Sequence, residues 1–251
     1  MLDHPWLNLL LIAAGVVGGA LNVVAGGGSF LTLPVLILMG LPAGVANGTN
    51  RVGVLVQNAG AVWTFRRSGV WDPAWALQAA IPSILGAIAG TLVATWMHDD
   101  LFRRILSWLM IVMSLWTLWD PIGRRRTAIG GHRVHLGWGA LIGFFLAGIY
   151  GGFVQAGVGF ILLAVTTLAG YDLVRGNAIK VLCVLISTPV SLAIFAWSGQ
   201  VWWVPGLWLA AGMVLGGLLG AHLTVLKGHL WVRGIVTAAV IVLAIKLLVA
   251  P

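Results

Sequence analysis

Moved 130 residues along itself, this sequence meets itself without a gap. Gly18 falls on Gly148, Gly27 on Gly157, Phe30 on Phe160, Gly40 on Gly170 and Asn47 on Asn177. Phe65 falls on Phe195, Ser68-Gly69 on Ser198-Gly199, Gly86 on Gly216, Gly90 on Gly220 and Arg103 on Arg233. Glycines alone would match by chance in so glycine-rich a chain. Asn, Phe, Ser and Arg matches in one register are hard to obtain by accident. The chain therefore reads as two tandem repeats, 1–123 and 136–251, joined by a basic linker at 124–135.

The units are made for lipid. Of 251 residues, 60% are hydrophobic and only 8% charged, where a soluble domain carries about 25% charged residues. Apolar runs cover 7–24, 29–41, 44–65, 74–97, 104–119, 136–154, 159–171, 178–197, 203–226 and 232–250. A helix needs about 20 apolar residues to cross the hydrocarbon core. The runs at 29–41 and 159–171 are too short, and each follows a glycine-rich break, Gly26-Gly27-Gly28 or Gly157-Val158-Gly159. The expected fold is all-α: a polytopic transmembrane bundle of two repeats, with about eight spanning helices and two short broken or re-entrant segments. The first run lacks a basic leader and an Ala-x-Ala cleavage site, so it reads as a membrane segment and not a removed signal. Tryptophans near run ends, such as Trp71, Trp75, Trp202 and Trp203, fit an interfacial belt. The lone Cys183 has no disulfide partner in the chain and reads as a small buried hydrophobe.

Charge bears on partners and orientation. There are 14 Lys and Arg against six Asp, with no Glu. The bases sit in short gaps between apolar runs, where cytoplasmic loops carry them, so no nucleic-acid partner is expected. With Arg66-Arg67, Arg124 to Arg126 and Arg133 placed in the cytoplasm, Arg103-Arg104 falls outside. An inverted second repeat then brings Lys227 and Arg233 inside, whereas a parallel one puts them outside. Inversion satisfies the charge rule better, and it requires an odd number of crossings before Phe65. The short run must cross or fold back to supply one.

Backbone that leaves the helix at membrane depth is tolerated only when buried in protein or lining a cavity. The breaks are therefore the candidate site. In the first half they are Asn22 to Ser29 and Leu41 to Arg51; in the second, Gln155 to Gly159 and Asp172 to Lys180. A helix is expected to start after each glycine cluster and again at each Asn-rich turn. Four helix starts would meet, and helix starts offer free N–H groups and a positive dipole end to an anion. The candidate substrate-binding residues are Gly26, Gly27, Gly28, Ser29, Asn47, Thr49, Asn50, Gln155, Gly157, Asn177 and Lys180. Glycines would let backbone N–H groups approach the anion, Thr49, Asn50 and Gln155 would donate hydrogen bonds, and Lys180 would supply charge. Plainer roles stand beside these: close packing for the glycines, helix caps for Asn47 and Asn177, and snorkelling for Lys180 and Arg51.

No acid lies inside a long apolar run, which argues against a cation pathway. The histidines show no zinc spacing, no nucleophile constellation is visible, and Gly26 to Gly28 lacks the Lys-Ser/Thr of a phosphate loop. No catalytic residue, metal or cofactor is expected.

The breaks resemble those of the TauE/SafE family, the sulfite exporter or sulfonate permease superfamily. In the first half the resemblance is carried by Ala25 to Pro34, Gly40 and Ala46 to Asn50. In the second it is carried by Tyr150 to Phe160, Gly170 to Leu173 and Asn177 to Lys180. One departure is Ala164, where the family has the proline that Pro34 represents in the first half. The resemblance implies a multi-pass cell-membrane protein that moves a small sulfur-containing or carboxylated anion, with sulfite as one candidate. Alternating access around the breaks is the expected mechanism; a channel for a small solute and a non-transport membrane subunit are the rivals. The expected partners are a small anion, the lipid bilayer and further copies of the chain in a homo-oligomer.

Overall fold

Glycine and one aspartate decide where the helices stop and start. A computed structural model describes residues 5–67, 73–119 and 137–227. The linker 124–135, the run 232–250, Ser68-Gly69, Trp71, His132, His135 and Arg233 lie outside the described residues. Within them the secondary structure is helical: α1 (Pro5–Ala25), α2 (Ser29–Leu38), α3 (Ala43–Arg67), α4 (Pro73–Trp96), α5 (Asp99–Trp119), α6 (Trp138–Phe153), α7 (Val158–Leu168), α8 (Leu173–Trp197) and α9 (Trp203–Lys227). The composition and these helices fit a helical membrane bundle. At 1.5 Å per residue, the 10-residue α2 and 11-residue α7 are only about 15 Å long, half a hydrocarbon core.

Both short helices end the same way. Gly40 and Gly170 each sit at φ 93°. Leu41 N–H donates to Leu36 O and Gly40 N–H to Ile37 O; Tyr171 donates to Thr166 O and Gly170 to Thr167 O. This is the glycine stop in which two successive amides close back on the last turn. The next helix starts at once. Asp172 accepts from Val174 N–H and Arg175 N–H, both at 3.0 Å, and so caps α8. The Asn-rich turns are therefore not helix starts. Asn47 and Asn177 lie in the second turn of α3 and α8, and neither is a cap.

The residues that meet fix the helix directions. Gly15 and Gly19 of α1 lie against Leu209 and Met213 of α9, so these helices run parallel. Gly86 and Gly90 of α4 lie in the same way against Phe145 and Ile149 of α6. Small residues four apart let backbones touch, the usual device of helices packing in lipid. Thr49 meets Trp202 and Gly53 meets Met213, so α9 also runs with α3. Thr91 bonds Ser191 and Thr95 bonds Gln200, so α4 runs with α8. By contrast, the start of α3 lies at the end of α8, where Gly48 and Arg51 touch Phe195. Val62, near the end of α3, packs with Val181 and Leu182 near the start of α8. These two helices, with bounds 130 residues apart, are antiparallel. Helices α1, α3 and α9 thus point one way and α4, α6 and α8 the other. Since α1 and α3 share a direction, α2 returns between them, its Thr32 back beside Gly18.

The central helices are the polar ones. Asn47, Thr49, Asn50, Arg51, Gln57 and Asn58 of α3 are all buried. A helix this polar is stable in a membrane protein only where other helices satisfy it. The apolar side chains turned outward include Leu77, Ile81 and Leu85 of α4, and Ile142 and Leu146 of α6.

Candidate functional site

The two glycine breaks touch. A Cβ placed on Gly159 would stand 2.9 Å from Gly26 O, so the backbones are in contact there. Phe30 and Phe160, equivalent in the 130-residue register, stack with ring centroids 6.5 Å apart and planes 17° from parallel. Gly27 and Gly157 lie against these rings; a side chain on Gly157 would run into Phe30. The two breaks differ by one residue in detail. The left-handed glycine at φ 77° is Gly26 in the first and Gly157 in the second, positions 131 apart and so out of the repeat register.

Beside this contact lies a cavity of about 620 Å³. Its inner end is polar, lined by Asn22, Gly26, Ser29, Gln155, Asn177 and Lys180. It continues along the second half of α3 past Val54 and Gln57 to Trp63, Thr64 and Phe65, with Val214 and Leu218 of α9 on another wall. It therefore opens toward the end of α3, where Arg66 and Arg67 stand. Arg67 covers the Trp63 ring at 3.8 Å from its centroid.

Lys180 is the charge in this cavity. It is 9% exposed, and its ammonium lies 3.8 Å from where a Gly26 Cβ would be. It has no hydrogen bond or ion pair to any described residue. Snorkelling does not describe it, because the side chain runs inward to the break. Ser29 is held by a chain of bonds: Thr32 Oγ1 donates to Asn50 Oδ1, and Asn50 Nδ2 donates to Ser29 Oγ at 2.9 Å. With its oxygen occupied as acceptor, the Ser29 hydroxyl proton is free for the cavity. Asn50 thus acts through Ser29. The backbone N–H groups of Ser29 and Gly159, in the first turns of α2 and α7, also lack partners among the described residues. Gln155 donates to Thr188 Oγ1 at 2.8 Å, and its Oε1 is buried without a partner.

Other expected site residues are used elsewhere. Asn47 donates to Phe153 O at 2.8 Å. Thr49 accepts from Trp202 N–H at 2.9 Å and so joins α3 to the start of α9. Gly28 is pressed on Gly18 O and Asn22, where a side chain could not fit. Two helix starts meet at the cavity, those of α2 and α7, instead of four. The starts of α3 and α8 lie at Ala43 and Leu173, away from it. Thr32, Gln57 and Thr188 build the site from outside the breaks, and Asn22, inside the first break, joins them. Asn22 donates to Gln57 Oε1 at 2.8 Å, and Gln57 donates to Gly19 O at 2.8 Å. A signal was present: Asn50, Gln57 and Thr64 recur every seven residues, two turns, on one face of α3.

The far side of the breaks is sealed. Arg51 is 1% exposed and donates to Gly151 O at 3.0 Å and Gly152 O at 2.6 Å. Its guanidinium stacks on Phe195 at 4.8 Å from the ring centroid. With Asn47 on Phe153 O, α3 satisfies the last three carbonyls of α6. Those carbonyls carry the negative end of a helix dipole, which a cation stabilises. Among the described residues no three His, Cys, Asp or Glu side chains come together.

A helical membrane bundle with broken helices around a polar, cation-bearing cavity is the architecture of a membrane transporter. The chain belongs to the sulfite exporter TauE/SafE family, which it matches over residues 11–247. It is 31% identical over 234 residues to a "Probable membrane transporter protein" of Haemophilus influenzae, covering 92% of this chain and 90% of that one. It is 29% identical over 247 residues to the "Probable membrane transporter protein ORF9" of Sinorhizobium sp, covering 98% and 94%. A third relative, the "Probable membrane transporter protein YfcA" of Escherichia coli, is 29% identical over 249 residues, covering 97% and 90%. No solved structure matches the chain significantly. The family is one of membrane transporters and not of enzymes.

Proposed function

We propose that this protein is a secondary transporter for a small anion, sulfite, an organosulfonate or a related carboxylated ion, working by alternating access in the cell membrane. The observation that carries the reading is the unpartnered ammonium of Lys180 at the junction of two helix starts. An ammonium on a side chain this deeply buried, without a counter-ion, is costly. A bound anion removes that cost, and the free amides of Ser29 and Gly159 and the Ser29 hydroxyl add donors.

The antiparallel course of α3 and α8 supports an inverted duplication, with units 1–123 and 136–251 around a two-fold axis in the membrane plane. Each unit packs its outer helices on the other, α1 on α9 and α6 on α4. In this reading Arg66, Arg67 and the linker 124–135 share the cytoplasmic side, and the cavity opens to it. Exposed tryptophans at the opposite helix ends, Trp96 and Trp197 at 86% and 94% exposed, fit the other interface. A cavity reaching one face while Arg51 and Asn47 close the other favours alternating access over an open channel.

The test is thermal stabilisation of the purified protein by a panel of anions, followed by flux into proteoliposomes. A ligand specific for the folded state raises stability with the logarithm of its concentration over Kd. Selective stabilisation and saturable flux with one anion are expected. Asn50→Ala, which frees Ser29, should weaken binding about tenfold, the equivalent of one good hydrogen bond to a charge. Equal stabilisation by cations and anions, or flux that never saturates, would refute the proposal.

A further inference from the structure

We infer that the site selects its anion by valence: it takes a singly charged sulfonate- or carboxylate-type headgroup on an uncharged body and discriminates against dianions. The inference rests on the reading of the cavity as the anion site, and it follows from counting charges around that cavity.

Lys180 is the one charged side chain among the described residues that line it. Arg51, one residue after the position equivalent to Lys180 in the first half, turns its guanidinium away to Gly151 O and Gly152 O. Asp172 is exposed and paired with Arg175 at 3.5 Å. Asp99 is exposed and accepts from Gly44 N–H at 3.0 Å. The buried charge at the inner end is therefore +1. A monoanion brings it to zero. A dianion leaves one negative charge uncompensated inside protein and lipid, where an unpaired ion is poorly solvated. The neutral donors beside Lys180, two amides, the Ser29 hydroxyl and the Asn177 carboxamide, carry no net charge and so cannot compensate a second negative one.

The rest of the ligand meets a different surface. Beyond Lys180 the walls mix Val54, Val181, Val184, Val214 and Leu218, which reward apolar contact, with Gln57, Asn58 and Thr64, and none of these side chains is charged. The cavity of about 620 Å³ is far larger than the roughly 30 Å³ share of one water. It has room for a body of several carbons beyond the headgroup.

The experiment uses the full chain in lipid nanodiscs and matched pairs of ligands: propanesulfonate against ethane-disulfonate, and butyrate against succinate. Each monoanion should bind at least about 30-fold more tightly than its dianion, a step of about 2 kcal/mol. Lys180→Met should abolish the binding of monoanions, and Lys180→Arg should retain part of it. Asn177→Lys adds a second cation on the cavity wall one turn from the first. It should bring dianions level with monoanions, a gain that misfolding cannot imitate. Dianions binding the unaltered protein as tightly as monoanions would overturn the valence rule and leave the anion transporter standing. An unchanged ratio in a folded Asn177→Lys protein would also overturn it. Binding of neutral sulfones with neither class of anion would remove the anion site itself, and this inference with it.

Discussion

The two ends of α3, a single helix of 25 residues, do opposite things. Its second half is one wall of an open cavity, with Gln57 and Thr64 facing the opening. Its first half is closed down on the neighbouring elements, with Asn47, Thr49 and Arg51 each bonded to backbone of another helix or loop. Both ends are polar and both are enclosed by protein, so polarity alone does not mark a binding surface. What separates them is whether the polar groups already have partners. At the sealed end they hold Phe153 O, Gly151 O, Gly152 O and Trp202 N–H. In the cavity the Lys180 ammonium and the Ser29 hydroxyl proton have none among the described residues. Equivalent positions diverge in the same way: Asn50 on α3 is an internal bridge, and Lys180 on α8 is a free charge.

One of the two largest effects should come from the sealed end. Arg51→Met takes a donor from Gly151 O and from Gly152 O, which keeps Thr91 Oγ1 at 3.1 Å, and should cost about 2 kcal/mol of stability, given ~1–3 kcal/mol for a buried group left unsatisfied. Arg51→Lys should recover part of it. Thermal unfolding in detergent reads this directly. An unchanged midpoint for Arg51→Met would show that the seal contributes nothing and that the contrast between the two ends is one of shape only.

Next come the paired interfaces. Gly86 and Gly216 hold equivalent places, one facing Phe145 and Ile149, the other facing Val16. Alanine at either would push a methyl into a backbone carbonyl, with an expected loss of about 2 kcal/mol from overpacking. The two losses should be similar if the halves are built alike. A cost at one and none at the other, measured by the same unfolding assay, would break the equivalence.

The smallest effect concerns the stops of the short helices. Gly40→Ala and Gly170→Ala force a side chain into the left-handed region and should each cost about 1 kcal/mol. Equal shifts would sharpen the case for matched hairpins. A shift at Gly40 alone would tie the geometry to Pro34, which the second half replaces with Ala164.

Much of the architecture was legible from spacing. Helix-breaking glycines at 26–28 and 157–159 and the stops at Gly40 and Gly170 follow from local chemistry, because only glycine enters the left-handed region at little cost. The short helices follow from the distance between those breaks. The starts of α3 and α8 were misplaced, since asparagine is a common cap and the actual cap, Asp172, lies five residues earlier than Asn177. The site was legible as a region and not as a set. Gly26, Ser29, Gln155, Asn177 and Lys180 reach the cavity, while Asn47 and Thr49 are bonded away from it. Side-chain type states what a residue can bond, and neighbours from distant sequence determine what it does bond.

By itself the sequence determined that this chain is helical and apolar, that its helices break at glycines, and that one lysine sits beside the second break. Those are properties of composition, backbone freedom and local order along the chain. Only the tertiary structure decided that the breaks touch, that α3 and α8 run antiparallel, and that Arg51 is spent on carbonyls while Lys180 is left free. Each depends on contacts between residues about a hundred or more apart in the chain, and no local preference specifies which of two buried cations will find a partner.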